Sequence, residues 1–494
     1  MKFQSTRDVN GATFSAAQVI KQGLAADGGL FVPESIPTLT FDEITALCKQ
    51  EYPERAAYIL GKFLTDYTSE ELLADCKAAY APTSFVGGAA PLVALNESLY
   101  SLELWHGPTA AFKDMALQIM PRLLSRALGK TGEERTALIL VATSGDTGKA
   151  ALEGYKDIDH IKIVVFYPEN GVSRVQKLQM QTQTGNNVYV CAINGNFDDA
   201  QTGVKKIFSD SDAARYLDEK GYFLSSANSI NWGRLAPQIV YYVSAYCDLL
   251  NAGRIKKGDK MNVTVPTGNF GNIFAAYLAK LMGLPIDRLV CASNKNNILT
   301  DFLASGTYDR NRDFHLTMSP SMDILISSNL ERLLYLAAGP ERTAAYMKSL
   351  NETGAYTVDA DVKAAIDASF VGCFADEEKT AQVIRETMEK YGYLADTHTA
   401  VGISAAQEYM EKTGDYTPMV VASTASPYKF AADVYDSLCG EKPADPLAAL
   451  DLLSAKSNTQ IPYPLCGIGE RTVRFTDVVD SAKMWDAVSA YVEK

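Results

Sequence analysis

The chain has 494 residues, 47% hydrophobic and 21% charged, with a formal net charge of −13. That length exceeds what one hydrophobic core supports and implies roughly two to three domains. The acidic balance argues against nucleic acid and anionic membrane as partners, and no apolar run approaches the ~20 residues of a membrane span.

The eight cysteines and four histidines are scattered, with no CxxC, no zinc-ribbon spacing and no HExxH motif. Isolated cysteines suit buried apolar roles in a reducing compartment. The opening MKFQSTRDVNG lacks the apolar core of a secretory signal. Together these features predict a cytoplasmic protein without a metal site.

Residues 1–95 read as a helical N-terminal region. Ser15 caps a short helix to Gly23, Phe41 to Cys48 and Tyr67 to Ala79 carry helical patterns, and TSEE at 68–71 is a capping signal. Ser101 to Trp105 reads as a strand, followed by a His106-Gly107-Pro108-Thr109 turn with Thr109 as N-cap. Phe112, Met115, Ala116, Ile119 and Met120 then recur at helical spacing. Lys113 is thereby placed in the first turn of a helix beside its apolar face. The positive end of the helix dipole and partial burial lower the proton affinity of such a lysine. Its uncharged amine is a nucleophile able to form a Schiff base; the bland alternative is a surface lysine lying along Phe112.

Short apolar runs then alternate with helices: 136–143, 161–168, 187–193, 261–267, 288–293 and, after a mostly helical stretch from about 296 to 415, 417–424. Such alternation predicts parallel sheets with crossover helices, arranged as two α/β domains over 96–260 and 261–494. Ligands of open α/β sheets bind at the carboxyl ends of strands, and four turns occupy such ends. TSGDTG at 143–148 offers Ser144, Asp146 and Thr147 between glycines at a helix start, which suits a carboxylate or serves only as a capped turn. A P-loop is excluded because residue 143 is Thr and residue 150 is Ala. PTGNFGN at 266–272 can form a nest of N–H groups for a phosphate or a plain tight turn. SSANSINWGR at 225–234 sets Asn228, Ser229 and Arg234 ahead of a helix, where a dianion could bind, or where a loop is simply capped. ASTAS at 422–426 offers hydroxyls that could meet a ring nitrogen. A nucleophilic lysine, a phosphate nest and a hydroxyl at strand ends together suit pyridoxal phosphate.

HGPTAAFKDMALQ (106–118), TSGDTGKAA (143–151) and PTGNFGN (266–272) resemble the threonine synthase family, as do STRDVNG, GLAADGGLFVPESIP, the segment 167–188, SSANSINWGRLAPQ and STASPYKF (423–430). The resemblance implies a tryptophan-synthase-β-like (fold type II) pyridoxal phosphate enzyme. It would convert O-phospho-L-homoserine and water to L-threonine and phosphate, as a monomer or small homo-oligomer. It further implies that Lys113 is the Schiff-base lysine, and that Gly268, Asn269, Phe270, Gly271 and Asn272 hold the cofactor phosphate. Thr424 would face the pyridine nitrogen and Asp146 the 3-oxygen. Ser144 and Thr147 would bind the substrate carboxylate, and Asn228, Ser229 and Arg234 the substrate phosphate. The chain departs from the family at Ser426, where relatives of this type usually carry histidine, so Ser426 is left outside the catalytic set. A serine or threonine dehydratase of the same fold, or a non-catalytic ligand-binding homologue, are the alternatives.

Overall fold

A computed structural model describes residues 1–170 and 172–493. Two mainly parallel sheets organise it. The larger has six strands in the order Phe370–Phe374, Ile286–Ser293, Met261–Pro266, Met419–Ser423, Leu99–Glu103 and Leu92–Ala94, of which only the last is antiparallel to its neighbour. The smaller is parallel throughout, in the order Val478–Asp480, Val188–Asn194, Ile161–Pro168, Thr136–Ala142 and Tyr222–Ser225. Their central strands are buried on both faces, which is why Ala137 to Val141 and Ile163 to Phe166 read as near-continuous apolar runs rather than alternating ones. Helices cover both sheets; the longest, Trp232–Asn251, is buried along most of its length.

The expected strands at 136–143, 161–168, 187–193, 261–267, 288–293 and 417–424 are all present within two residues of those bounds. Their grouping needs correction. The strand leading to Lys113 begins at Leu99 and belongs to the larger sheet, beside Met419–Ser423, not with the 136–225 strands that share the range 96–260. The pairing Ser423↔Glu103 aligns the carboxyl ends of two strands more than 300 residues apart. Local spacing carries no information about such partners.

The N-terminal region is not purely helical. Phe3–Ser5 pairs antiparallel with Phe31–Pro33, while the capping boxes at Ser15–Gln18 and Thr68–Glu71 form as their spacing requires. Within the mostly helical stretch 296–415, Phe370–Phe374 adds the edge strand of the larger sheet.

Candidate active site

Lys113 does not sit within a helix begun at Ala110. Ala110 adopts a left-handed backbone (φ 58°) and Ala111 bridges Ala425, so the chain runs extended past the end of the neighbouring strand. Leu104 N donates to Ser423 O (3.0 Å), Phe112 N to Thr424 O (2.8 Å) and Ser426 N to Ala110 O (3.0 Å). These bonds zip residues 104–112 onto 423–426. Lys113 is the N-cap position of a single turn, Asp114–Leu117. Thr109 caps nothing; instead its N–H and hydroxyl donate to the buried Asp114 carboxylate at 2.8 and 2.7 Å. Helical spacing misled here because Met115 is buried and Phe112 half-buried by tertiary contacts on either side of the bend.

The Lys113 amine is 3.7 Å from Asp146 Oδ2 and 3.5 Å from Ser321 Oγ. Burial pushes its proton affinity down, as do Lys429 and Arg234, against the upward pull of Asp146. Asp146 opens the helix Asp146–Tyr155, entered through Gly145 at φ 136°, a conformation that L residues rarely adopt. Thr143 Oγ1 shapes that turn by accepting from the N–H groups of Gly145 and Gly148, both at 2.9 Å. Burial alone would raise the Asp146 carboxyl, but the ammonium groups of Lys429 and Lys113 outweigh it and hold it below the usual carboxylate range. Ser144 is exposed and Thr147 half-buried on the same turn.

The 266–272 turn leaves the adjacent strand at the same edge. Phe270 takes a left-handed conformation (φ 63°) immediately before the helix Gly271–Leu281. The carbonyls of Gly268 and Asn269 are tied back, the first by Ser327 Oγ (2.6 Å), the second by Asn329 N (3.0 Å) and Nδ2 (2.9 Å). Among the described residues, no backbone N–H from Gly268 through Asn272 has an acceptor within the chain. Asn272 Oδ1 accepts from Tyr241 (2.7 Å) and from Tyr242, leaving its buried Nδ2 without a partner. A row of unused donors at a helix N-terminus fits a phosphate.

Arg234 lies in the first turn of the helix Trp232–Asn251 and is buried. Nη1 donates to Ala227 O (2.9 Å), Nε has no partner, and no carboxylate pairs with the group among the described residues. Burial lowers its proton affinity to about 10, opposed only by Tyr155. A buried guanidinium without a counter-ion is costly unless an anion completes it. Asn228 and Ser229 do not join it directly: the exposed Asn228 side chain accepts from Ser229 N at 2.7 Å. Thr424, 6% exposed, is fixed through its backbone beside Lys113. Ser426 is fully buried and accepts from Tyr428 N (3.3 Å), capping the turn Pro427–Phe430.

Four contributors escaped the sequence reading. Lys429 lies within STASPYKF, Gln176 holds Asp146 Oδ1 at 3.0 Å, Ser321 borders Lys113, and His398 Nε2 accepts from Ser321 N at 3.1 Å while Nδ1 faces Asp396 at 2.9 Å. A backbone N–H can only donate, so that bond fixes the proton on Nδ1.

Family models match along the chain: Threonine synthase N terminus at residues 2–80, Pyridoxal-phosphate dependent enzyme at 83–424, and Threonine synthase, C-terminal at 399–492. The chain is 43% identical over 339 residues to threonine synthase of Pseudomonas aeruginosa, covering 68% of each. It is 45% identical to human threonine synthase-like 1 over 66% of its own length, which spans only 45% of that longer protein. Among solved structures, pyridoxal-phosphate-bound threonine synthase from Brucella melitensis superposes with a TM-score of 0.88 at 38% identity, covering 100% of this chain and 98% of that one. On these matches the chain belongs to the threonine synthase family of pyridoxal-phosphate-dependent enzymes.

Proposed function

We propose that the chain converts O-phospho-L-homoserine and water into L-threonine and phosphate. The observation that carries this reading is the buried Lys113 amine at the junction of three strand ends, with unused phosphate donors on one side and an unpaired buried guanidinium on another. Two anion sites flanking one nucleophilic amine match a phosphorylated cofactor together with a phosphorylated substrate.

Pyridoxal phosphate, when bound, supplies the electron sink that stabilises carbanionic charge beside the amino-bearing carbon. The N–H groups of Gly268, Asn269, Phe270, Gly271 and Asn272 would hold its phosphate, Thr424 its ring nitrogen and Asp146 its 3-oxygen. A hydroxyl at Thr424 cannot protonate that nitrogen as a carboxylic acid would, so the sink is moderate and proton movement falls to Lys113. Lys113 Nζ, its proton affinity depressed by burial, takes the proton from the substrate α-carbon and returns it later. Ser144 and Thr147 would orient the substrate carboxylate. Arg234, with Asn228 and Ser229 at the mouth of its loop, would hold the substrate phosphate and stabilise it as it leaves.

No helix among the described residues is long and apolar enough to cross a membrane. Eight cysteines without a disulfide support a reducing, cytoplasmic setting, and we propose a monomer or small homo-oligomer there. The test is inorganic phosphate release from O-phosphohomoserine with and without added pyridoxal phosphate. Lys113→Ala should abolish both turnover and the visible absorbance, which for such a lysine-bound cofactor lies near roughly 410–430 nm. A variant that keeps that absorbance would remove Lys113 from its role.

A further inference from the structure

The site contains a second lysine that the proposed chemistry leaves unused. Lys429 is fully buried, yet its ammonium has three close acceptors: Asp146 Oδ1 at 2.8 Å, Thr109 O at 3.0 Å and Gln179 Oε1 at 3.3 Å. Asp146 Oδ1 also accepts from Gln176 Nε2 at 3.0 Å. One carboxylate oxygen is therefore committed to Lys429 and Gln176, and the other faces Lys113. Both lysines stand within reach of one carboxylate, but only Lys113 lacks close acceptors.

Resting on the reading of Lys113 as the base, we propose that Lys429 is a positioning residue that makes Lys113 the lysine able to give up its proton. It clamps Asp146 so that Oδ2 is aimed at Lys113, and its charge cancels the carboxylate's pull on that amine. Without it, the nearest cation available to a buried Asp146 would be Lys113 itself. The groups facing this cluster are Asp146 from the helix Asp146–Tyr155, Arg234 from the helix Trp232–Asn251, the Ser321 hydroxyl with His398 and Asp396 behind it, and Asp114, whose carboxyl feels both Lys429 and Glu153, the latter paired with Lys149. Asp146 pulls the proton affinity of Lys113 up, whereas Lys429 and Arg234 push it down. Ser426 serves the same end: it caps the turn that carries Lys429.

The experiment is competitive acetylation of the full chain across pH, with the Lys113 peptide quantified by mass spectrometry. Lys429→Met should move the midpoint of Lys113 labelling up by about one unit, which is about tenfold lower reactivity at a fixed pH below it. Asp146→Asn should move it down, and the double variant should return close to the starting midpoint. In phosphate-release assays Lys429→Met should shift the rising limb of the kcat profile to higher pH, because the base must first lose its proton. If Lys429→Met does not fold, the double variant still decides, since adding it to Asp146→Asn must raise the midpoint. Midpoints that do not move, or that move the same way for both single variants, overturn the proposal. Labelling needs neither cofactor nor substrate, so it fails independently of the assigned reaction.

Discussion

Gly154→Ala tests whether the position of Lys113 depends on close backbone contact. Gly154 lies near the end of the helix that Asp146 opens, and a Cβ there would stand 1.8 Å from the Leu117 carbonyl oxygen. Leu117 closes the single turn that begins at Lys113, through its N–H to Lys113 O at 2.9 Å. To reach even 3.0 Å, the tightest tolerable approach, the two backbones must part by roughly 1.2 Å. Helix propensity alone favours alanine over glycine by about 1 kcal/mol, so without the contact the variant would be more stable. Overpacking costs about 1–3 kcal/mol, and more where a backbone atom blocks relief; we expect a net loss of about 2 kcal/mol. A displacement near 1 Å at the base can cost about 100-fold in rate. Thermal melts and phosphate-release kinetics should therefore show a lower Tm and a kcat reduced at least tenfold. A Tm that rises, with kcat within about twofold of the parent, would refute the reasoning.

Three further outcomes follow from the site. Burial raises the Asp114 carboxyl to about 6, partly opposed by its bonds from Thr109. Between about pH 4 and 6 the fold therefore retains a proton that the unfolded chain has released, and stability falls as pH rises through that window by about 3 kcal/mol. Asp114→Asn should lack this fall, visible as a Tm difference between variant and parent that changes across pH 4–6 and is flat above it. Arg234→Gln should raise KM for the phosphorylated substrate by about 10- to 100-fold, since a charge-assisted bond contributes about 1.5–3 kcal/mol, while leaving cofactor absorbance unchanged; an unaltered KM removes Arg234 from the substrate phosphate. Ser426→Ala should lower stability by about 1 kcal/mol through loss of the cap, measured by thermal melting, with no new activity gained.

The parts of this molecule legible in the sequence are those set by nearest neighbours. Strands such as Ile161–Pro168 announce themselves as apolar runs because both sheet faces are covered, and Ser15–Gln18 and Thr68–Glu71 announce their helices through reciprocal caps. The backbone path at Lys113 was not legible, since Phe112 and Met115 mimic helical spacing while Ala110 turns left-handed and Ala111 bridges Ala425. The role of Lys429 is hidden for a related reason. A lysine two residues beyond a proline reads as surface, and its partners Gln179 and Thr109 lie 250 and 320 residues away in the chain.

The same distinction explains the N-terminal region, which contributes no residue to the proposed chemistry yet shapes the turn at 266–272. Thr6 Oγ1 and Arg7 bind Glu331 at 2.6–2.8 Å, and the Arg332 guanidinium donates to Phe31 O at 3.0 Å and to Ile230 O at 2.5 Å. These bonds anchor the segment whose Ser327 and Asn329 hold the Gly268 and Asn269 carbonyls. With the carbonyls held on one side, the N–H groups of residues 268–272 are presented together on the other, as phosphate binding requires. The STR and GGLF stretches are thus explained as supports for the donor row rather than as a separate module. On this argument Arg7→Ala should weaken cofactor retention, measured as the pyridoxal phosphate remaining after dialysis, before it alters KM for substrate. Undiminished retention would show that the turn holds its shape without the N-terminal anchor.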